Sequence, residues 1–187
     1  MTTATPPGGL CPAPATAVRP ATARDAPALY RLSRPFVRAG ALRARPPERY
    51  ARDAGEFLVA HGAGGCAHGA GGGVHGAGGG VHGCVALRCH PPLNGSGSER
   101  PAVVYNFCVA SASQGRGVGS ALLAAVLATA RARSVTTVFT ATTGDGALFL
   151  RHGFTACDGD GAPAAWRVAL DPRRGSTVLR LPLTGAA

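Results

Sequence analysis

Residues 103–133 constrain the fold more than any other part of the chain. Val103, Val104, Tyr105, Phe107, Cys108 and Val109 form a run dense in β-branched and aromatic residues, which predicts a buried strand. Small and polar residues follow from Ala110 to Gln114, and then Gly115, Gly117 and Gly119. Beyond them Val118, Leu122, Val126 and Ala130 recur every four residues, with Leu123 and Leu127 alongside, which is one apolar helix face. The glycines therefore mark a strand-to-helix junction. There the free N–H groups of the first helical turn and the positive end of the helix dipole favour an anion. Glycine also lets the backbone approach a phosphate closely.

In a chain with 28 Gly among 187 residues, a G-x-G-x-G alone says little; its place between strand and helix says more. The turn is not a P-loop, because no Lys-Ser or Lys-Thr follows it and the chain has no lysine. Nor is it a dinucleotide fingerprint, which needs G-x-G-x-x-G and an acidic residue some way on; none occurs here before Asp145.

A strand ending in an apolar triplet, a short loop and Q/R-x-x-G-x-G/A opening a helix resembles the acetyl-coenzyme A site of the GNAT N-acetyltransferases. Gln114-Gly115-Arg116-Gly117-Val118-Gly119 fits that motif position by position. LFLRHGF (148–154) resembles the family's short helix ending in Gly-Phe, and VRPATARDAPALYRL (18–32) its opening strand and first helix. The likeness covers roughly residues 17–185. It implies an α/β (α+β) domain of GNAT fold, a mixed, mostly antiparallel central sheet flanked by helices on both faces. It implies acetyl-CoA as co-substrate, held by Phe107, Cys108, Val109, Gln114, Gly115, Arg116, Gly117, Val118, Gly119, Ser120 and Phe149. In this family the central strand pairs through its backbone with the pantetheine arm, which implies the Val109 amide as donor to the thioester oxygen.

The implied chemistry is attack of a deprotonated amine on a thioester. The protein must orient the amine, take its proton and donate to the oxyanion. The acid and base are not identified. The family's acidic residue at the start of the central strand is Val103 here, and the tyrosine that many members use as acid is Phe149.

RPFVRAGALRARPPERYARDAGEFLVA (34–60), VFTATTGDGALFLRHGF (138–154) and RRGSTVLRL (173–181) resemble the acceptor-binding segments of bacterial N-acetylglutamate synthase. That resemblance implies Arg34, Arg45, Arg174 and Ser176 as holders of the substrate carboxylates. Arginine suits that task, since its guanidinium grips a carboxylate bidentately. An arginine usual after the Thr-Thr pair is Gly144 here, and a basic residue before Arg45 is Ala44. The expected activity is acetylation of the α-amine of an amino acid, L-glutamate first, as in arginine biosynthesis. TTGDGALFLRHGF (142–154) also resembles GNAT enzymes that acetylate phosphinothricin-like glutamate analogues, the alternative acceptors. A non-catalytic coenzyme- or metal-binding protein is the third reading.

Composition bounds the rest. The length suits one domain at 17–187, and no run of 18 apolar residues exists. Residues 1–16 lack the basic start and apolar centre of a signal peptide and read as a disordered tail, with cytoplasm as the expected compartment. The net charge of +10 comes from scattered arginines without interleaved aromatics. The expected partner is therefore a small amine or amino acid rather than nucleic acid or membrane, and a homodimer is left open.

A seven-residue repeat sets His61, His68, His75 and His82 in register within a Gly-rich segment at 61–83. Imidazoles suit metals, yet ordering so flexible a loop around four ligands costs much entropy. The segment reads as a low-complexity loop, and no metal is expected. The cysteines form no C-x-x-C pair and read as reduced thiols.

Overall fold

The computed structural model describes residues 16–61, 80–92 and 99–183. Within them lie seven strands: β1 (Ala17–Pro20), β2 (Phe57–His61), β3 (Val81–Cys89), β4 (Pro101–Val109), β5 (Thr137–Thr142), β6 (Thr155–Cys157) and β7 (Thr177–Pro182). They form one sheet in the order β1-β2-β3-β4-β5-β7-β6. Only β4 and β5 run parallel; every other neighbouring pair is antiparallel. The helices are α1 (Ala26–Arg38), α2 (Pro47–Arg52), α3 (Val118–Ala132), α4 (Ala147–Arg151) and α5 (Ala164–Val168). This is the mixed, mostly antiparallel α/β architecture expected from the sequence.

Strand alternation divides the core between the two faces of the sheet. Leu58, Ala60, Val85, Leu87 and Val104 pack with Leu122, Leu123 and Val126 of α3. Phe57, Val59, Cys84, Ala86 and Cys108 face the other way and pack with Leu29 of α1 and Tyr50 of α2.

One irregularity decides where a ligand could enter. Ala86 pairs with Tyr105 and Cys84 with Cys108, so Val85 alone opposes both Asn106 and Phe107. This is a β-bulge, and Asn106 takes φ +49, a conformation asparagine tolerates better than most residues. Asn106 is buried and tied down: its Nδ2 donates to Ser33 Oγ at 3.0 Å, and Tyr50 donates to its Oδ1 at 3.4 Å. Above the bulge β4 leaves its neighbour. Only Pro101–Val103 pair with Thr137–Phe139 of β5, although β4 continues to Val109.

Two expectations are adjusted. Strands β2 and β3 run into the histidine repeat, with His61 paired to Val81 and Ala60 to Gly83. Gly83 fits because a Cβ there would lie 2.8 Å from Leu122 Cδ1 and 3.1 Å from the Cys108 carbonyl. Residues 164–168, to which sequence reading assigned no element, form α5 behind Pro163. His68, His75, Cys11, Cys66 and residues 1–15 of the expected tail lie outside the described residues.

Candidate active site

The glycine turn forms an anion-ready end to α3. Gly115 and Gly117 both take positive φ, at +73 and +79, with nothing within 4 Å of where a Cβ would sit. Gly117 is the N-cap residue, and no side chain caps the helix. The first amides of α3, at Val118, Gly119 and Ser120, thus lack partners from the preceding turn. Gln114, Arg116 and Ser120 are exposed beside them. Gly119 is needed for packing as well: a Cβ would meet Leu148 at 3.2 Å.

The gap between β4 and β5 leads to that turn. Ala110 donates its N–H to His82 O at 2.7 Å, so strand alternation turns the N–H groups of Phe107 and Val109 to the opposite edge, where β5 has diverged. Gln114 Nε2 donates to Val109 O at 3.0 Å and fixes the strand end against the turn. Cys108, expected in this site, is directed elsewhere. Its backbone faces β3 and its Sγ lies 3.5 Å from Cys84 Sγ in the buried α1-side core, so it offers nothing to a ligand in the gap. Phe149 is 8% exposed and its ring is held edge-on by Phe107 and Phe154, at centroid distances of 5.5 and 5.4 Å. Packing accounts for most of its surface.

On the α1 side of the sheet the same gap opens into a cavity of about 480 Å³. Its walls are the α1–α2 loop from Ala41 to Arg45, the β4 stretch Val103–Asn106, Ala141 of β5, and α5 with the following turn, including Trp166, Arg174 and Ser176. Arg43, Arg45, Arg49, Arg88 and Arg174 all line it, against the single acidic lining residue Asp171. Arg174 also closes one side. Its guanidinium donates to Gly40 O at 2.7 Å and Ala41 O at 2.9 Å, which joins residues far apart in sequence.

Three of the expected acceptor residues, Arg45, Arg174 and Ser176, therefore share this cavity, and Arg34 does not. Arg34 lies in a smaller hollow of about 160 Å³ with Tyr30 and Arg38, which meets the larger one only through Ala44 and Arg45. Arg45 is partly committed already: it donates to Asp53 at 2.6 Å and lies 4.8 Å over the Tyr105 ring.

Sequence reading missed a polar network in the wall. Arg88 Nε donates to both Glu56 oxygens at 3.0 Å, and Tyr105 donates its hydroxyl to Glu56. Burial first, and that hydrogen bond second, push the Tyr105 phenol well above its usual range. Burial works against ionisation of Asp53, yet hydrogen bonding to Arg52 and the charges of Arg45 and Arg88 hold its carboxyl below the usual range. Asp53 and Glu56, which lie behind the lining residues, are thus both matched by arginine. Among the described residues no carboxylate pairs with Arg43, Arg49 or Arg174. The cavity keeps an excess of positive charge, which suits an anionic guest.

Among the described residues no group of His, Cys, Asp and Glu could hold a metal ion. No helix there is long and apolar enough to cross a membrane.

A family model described as the acetyltransferase (GNAT) domain matches residues 53–156, more than half of the chain. Among curated proteins no sequence matches significantly. Solved structures do. N-acetylglutamate synthase from Neisseria gonorrhoeae, complexed with coenzyme A and N-acetyl-glutamate, is 25% identical with a TM-score of 0.71. The alignment covers 90% of this chain but only 35% of the synthase. A GCN5-related N-acetyltransferase from Kribbella flavida is 26% identical over 90% of this chain and 98% of its own, with a TM-score of 0.62. Rv2747 from Mycobacterium tuberculosis, in complex with CoA and NLQ, shares the fold at 24% identity and a TM-score of 0.67, over 89% of this chain and 99% of its own.

Proposed function

The chain belongs to the GNAT acetyltransferase family, and from that premise we propose that it acetylates the α-amine of an acidic amino acid, L-glutamate foremost. It is an N-acetyltransferase with acetyl-CoA as co-substrate. The acceptor is our reading, and the observation that carries it is the charge of the larger cavity. Arg43, Arg49 and Arg174 reach it without carboxylate partners, and Ser176 adds a hydroxyl. A guest with two carboxylates would satisfy such a wall through charge-assisted hydrogen bonds.

In this reading the uncapped amides of Val118, Gly119 and Ser120, with Gln114, Gly115, Arg116 and Gly117, hold the phosphates of the co-substrate. The N–H groups of Phe107 and Val109 line the path of its arm and donate to the developing oxyanion. Arg174, Arg45 and Ser176 orient the acceptor, with Arg34 behind them. The synthase from Neisseria gonorrhoeae supports glutamate by its bound N-acetyl-glutamate. The present chain spans about a third of that protein's length, so a role in arginine biosynthesis is part of the proposal. The Gly/His segment between β2 and β3 is proposed as an insertion outside the chemistry.

An acceptor panel with acetyl-CoA and thiol detection tests this. Glutamate is expected to be the fastest of the proteinogenic amino acids. Much faster acetylation of phosphinothricin-like analogues or of uncharged amines would overturn the glutamate reading and leave the family.

A further inference from the structure

His82, the last of the four histidines in register, is the second residue of β3 and is half-buried. Its ring meets the stretch that leads into the glycine turn: Nδ1 lies 2.8 Å from Ser113 Oγ. In one neutral tautomer Nδ1–H donates to the hydroxyl oxygen, and in the other the hydroxyl donates to Nδ1, so either tautomer makes the contact. Ser113 is 5% exposed, although no apolar side chain larger than alanine occurs between Val109 and Val118.

The main chain of His82 makes a second contact. Its carbonyl accepts the Ala110 N–H, so one residue holds Ala110–Ser113 at both ends. Between those ends the Ser113 N–H donates to Ala110 O at 2.7 Å and closes a short 3-10 turn. Gly83, next along β3, approaches the far side of the glycines. A Cβ there would stand 3.1 Å from Cγ1 of Val118, the first residue of α3. Residues 82 and 83 therefore touch both the entry to the glycine turn and its exit.

We propose that His82 is a positioning residue for acetyl-CoA, which clips Ala110–Ser113 so that the glycine turn holds its amides ready for the phosphates. The inference rests on the reading that this turn is the phosphate cradle. A stretch of alanine, serine and glycine buries little apolar surface, so contacts from outside it must offset the entropy of ordering it. Without the clip the stretch samples other conformations. The apparent dissociation constant then rises by the inverse of the fraction that stays competent.

The sheet order gives this role a distinct signature. β4 stands between β3 and the gap to β5, so His82 is separated by a whole strand from the path of the reacting thioester. Its loss should fall on acetyl-CoA binding and leave the chemical step and the acceptor cavity alone. The role also needs no other histidine of the repeat, because both contacts come from β3 itself.

The test combines acetyl-CoA calorimetry with initial rates on the full chain, run with whichever amine of the panel wild type acetylates fastest. His82→Ala should weaken acetyl-CoA binding about three- to tenfold, the worth of one neutral hydrogen bond. KM for acetyl-CoA should rise alike, with kcat and the acceptor's KM unchanged. His82→Asn, whose carboxamide can stand where Nδ1 does, should recover most of the loss. Ser113→Ala should match His82→Ala, and the double variant should bind no more weakly than either single one. Unchanged affinity in both folded single variants, losses that add in the double variant, or a loss confined to kcat would overturn the assignment. Gly117→Asp set against Gly117→Ala reads the cradle itself. If that pair differs and His82→Ala binds as wild type does, only the clip falls; if neither shows an effect, the cradle reading falls with it.

Discussion

Gly117 separates two effects that usually arrive together. Its φ of +79 penalises any side chain, while the space around it is open. Aspartate tolerates the left-handed region better than alanine. If backbone strain alone mattered, Gly117→Ala would be the more harmful change. A carboxylate beside the free amides of α3 would instead repel phosphate. We expect Gly117→Asp to weaken acetyl-CoA binding about tenfold or more beyond Gly117→Ala, measured by calorimetry on both folded variants. Equal affinities would remove the phosphate cradle from this turn. Residues of this kind were legible in the sequence, because glycine spacing before an apolar helix has few other uses. Asn106 left a signal too: an asparagine inside a β-rich run disfavours a regular strand, and it marks the bulge. Arg88, Glu56 and Tyr105 left none. Their partners lie 17 to 49 residues away, and no local pattern encodes such pairs.

At the scale of elements, β3 and α3 are fitted through Gly83. Leu122 is fully buried, so it has little room to retreat from a new methyl group. Gly83→Ala should cost about 1–3 kcal/mol through overpacking, read as a lower urea midpoint with an unchanged slope. An unchanged midpoint would mean that α3 shifts freely. The hairpin end of the same strand predicts the reverse outcome. Because His61 and Val81 are paired, an Asn-Gly turn can replace residues 62–80 and keep both strands. Fold and acetyl transfer should survive that exchange, checked by thermal melting and thiol release; loss of activity in a folded variant would give the repeat a role. Residue patterns predicted α3, whose apolar face spans four turns, and placed the central strand β4 to within two residues. They overlooked α5, where a five-residue segment is too short for a period to show. The ends of β2 and β3 were hidden by glycine, which reads as loop but here allows close packing.

At the scale of the whole molecule, the sheet opens between its one parallel pair, β4 and β5, so that one ligand path meets two faces. In the proposed reading, the face bearing α3 offers backbone amides to phosphates, and the face bearing α1 and α5 offers arginines to an acceptor. Family resemblance pointed to the glycine turn directly and to the arginine cavity only in part, because arginines are common throughout this chain and their convergence depends on tertiary structure. The structure brings Arg45, Arg174 and Ser176 to one cavity, sets Arg34 apart, and adds Arg43, Arg49 and Arg88. Selection of a carboxylate by that cavity is the central claim. Its most direct measurement is the ratio of kcat/KM for glutamate over glutamine, in wild type and in Arg174→Ala, with acetyl-CoA affinity followed in parallel. A lost charge-assisted hydrogen bond is worth about 1.5–3 kcal/mol, so wild type should prefer glutamate by about ten- to a hundredfold. Arg174→Ala should flatten that ratio with acetyl-CoA affinity intact. Equal rates for glutamate and glutamine in wild type would contradict the account.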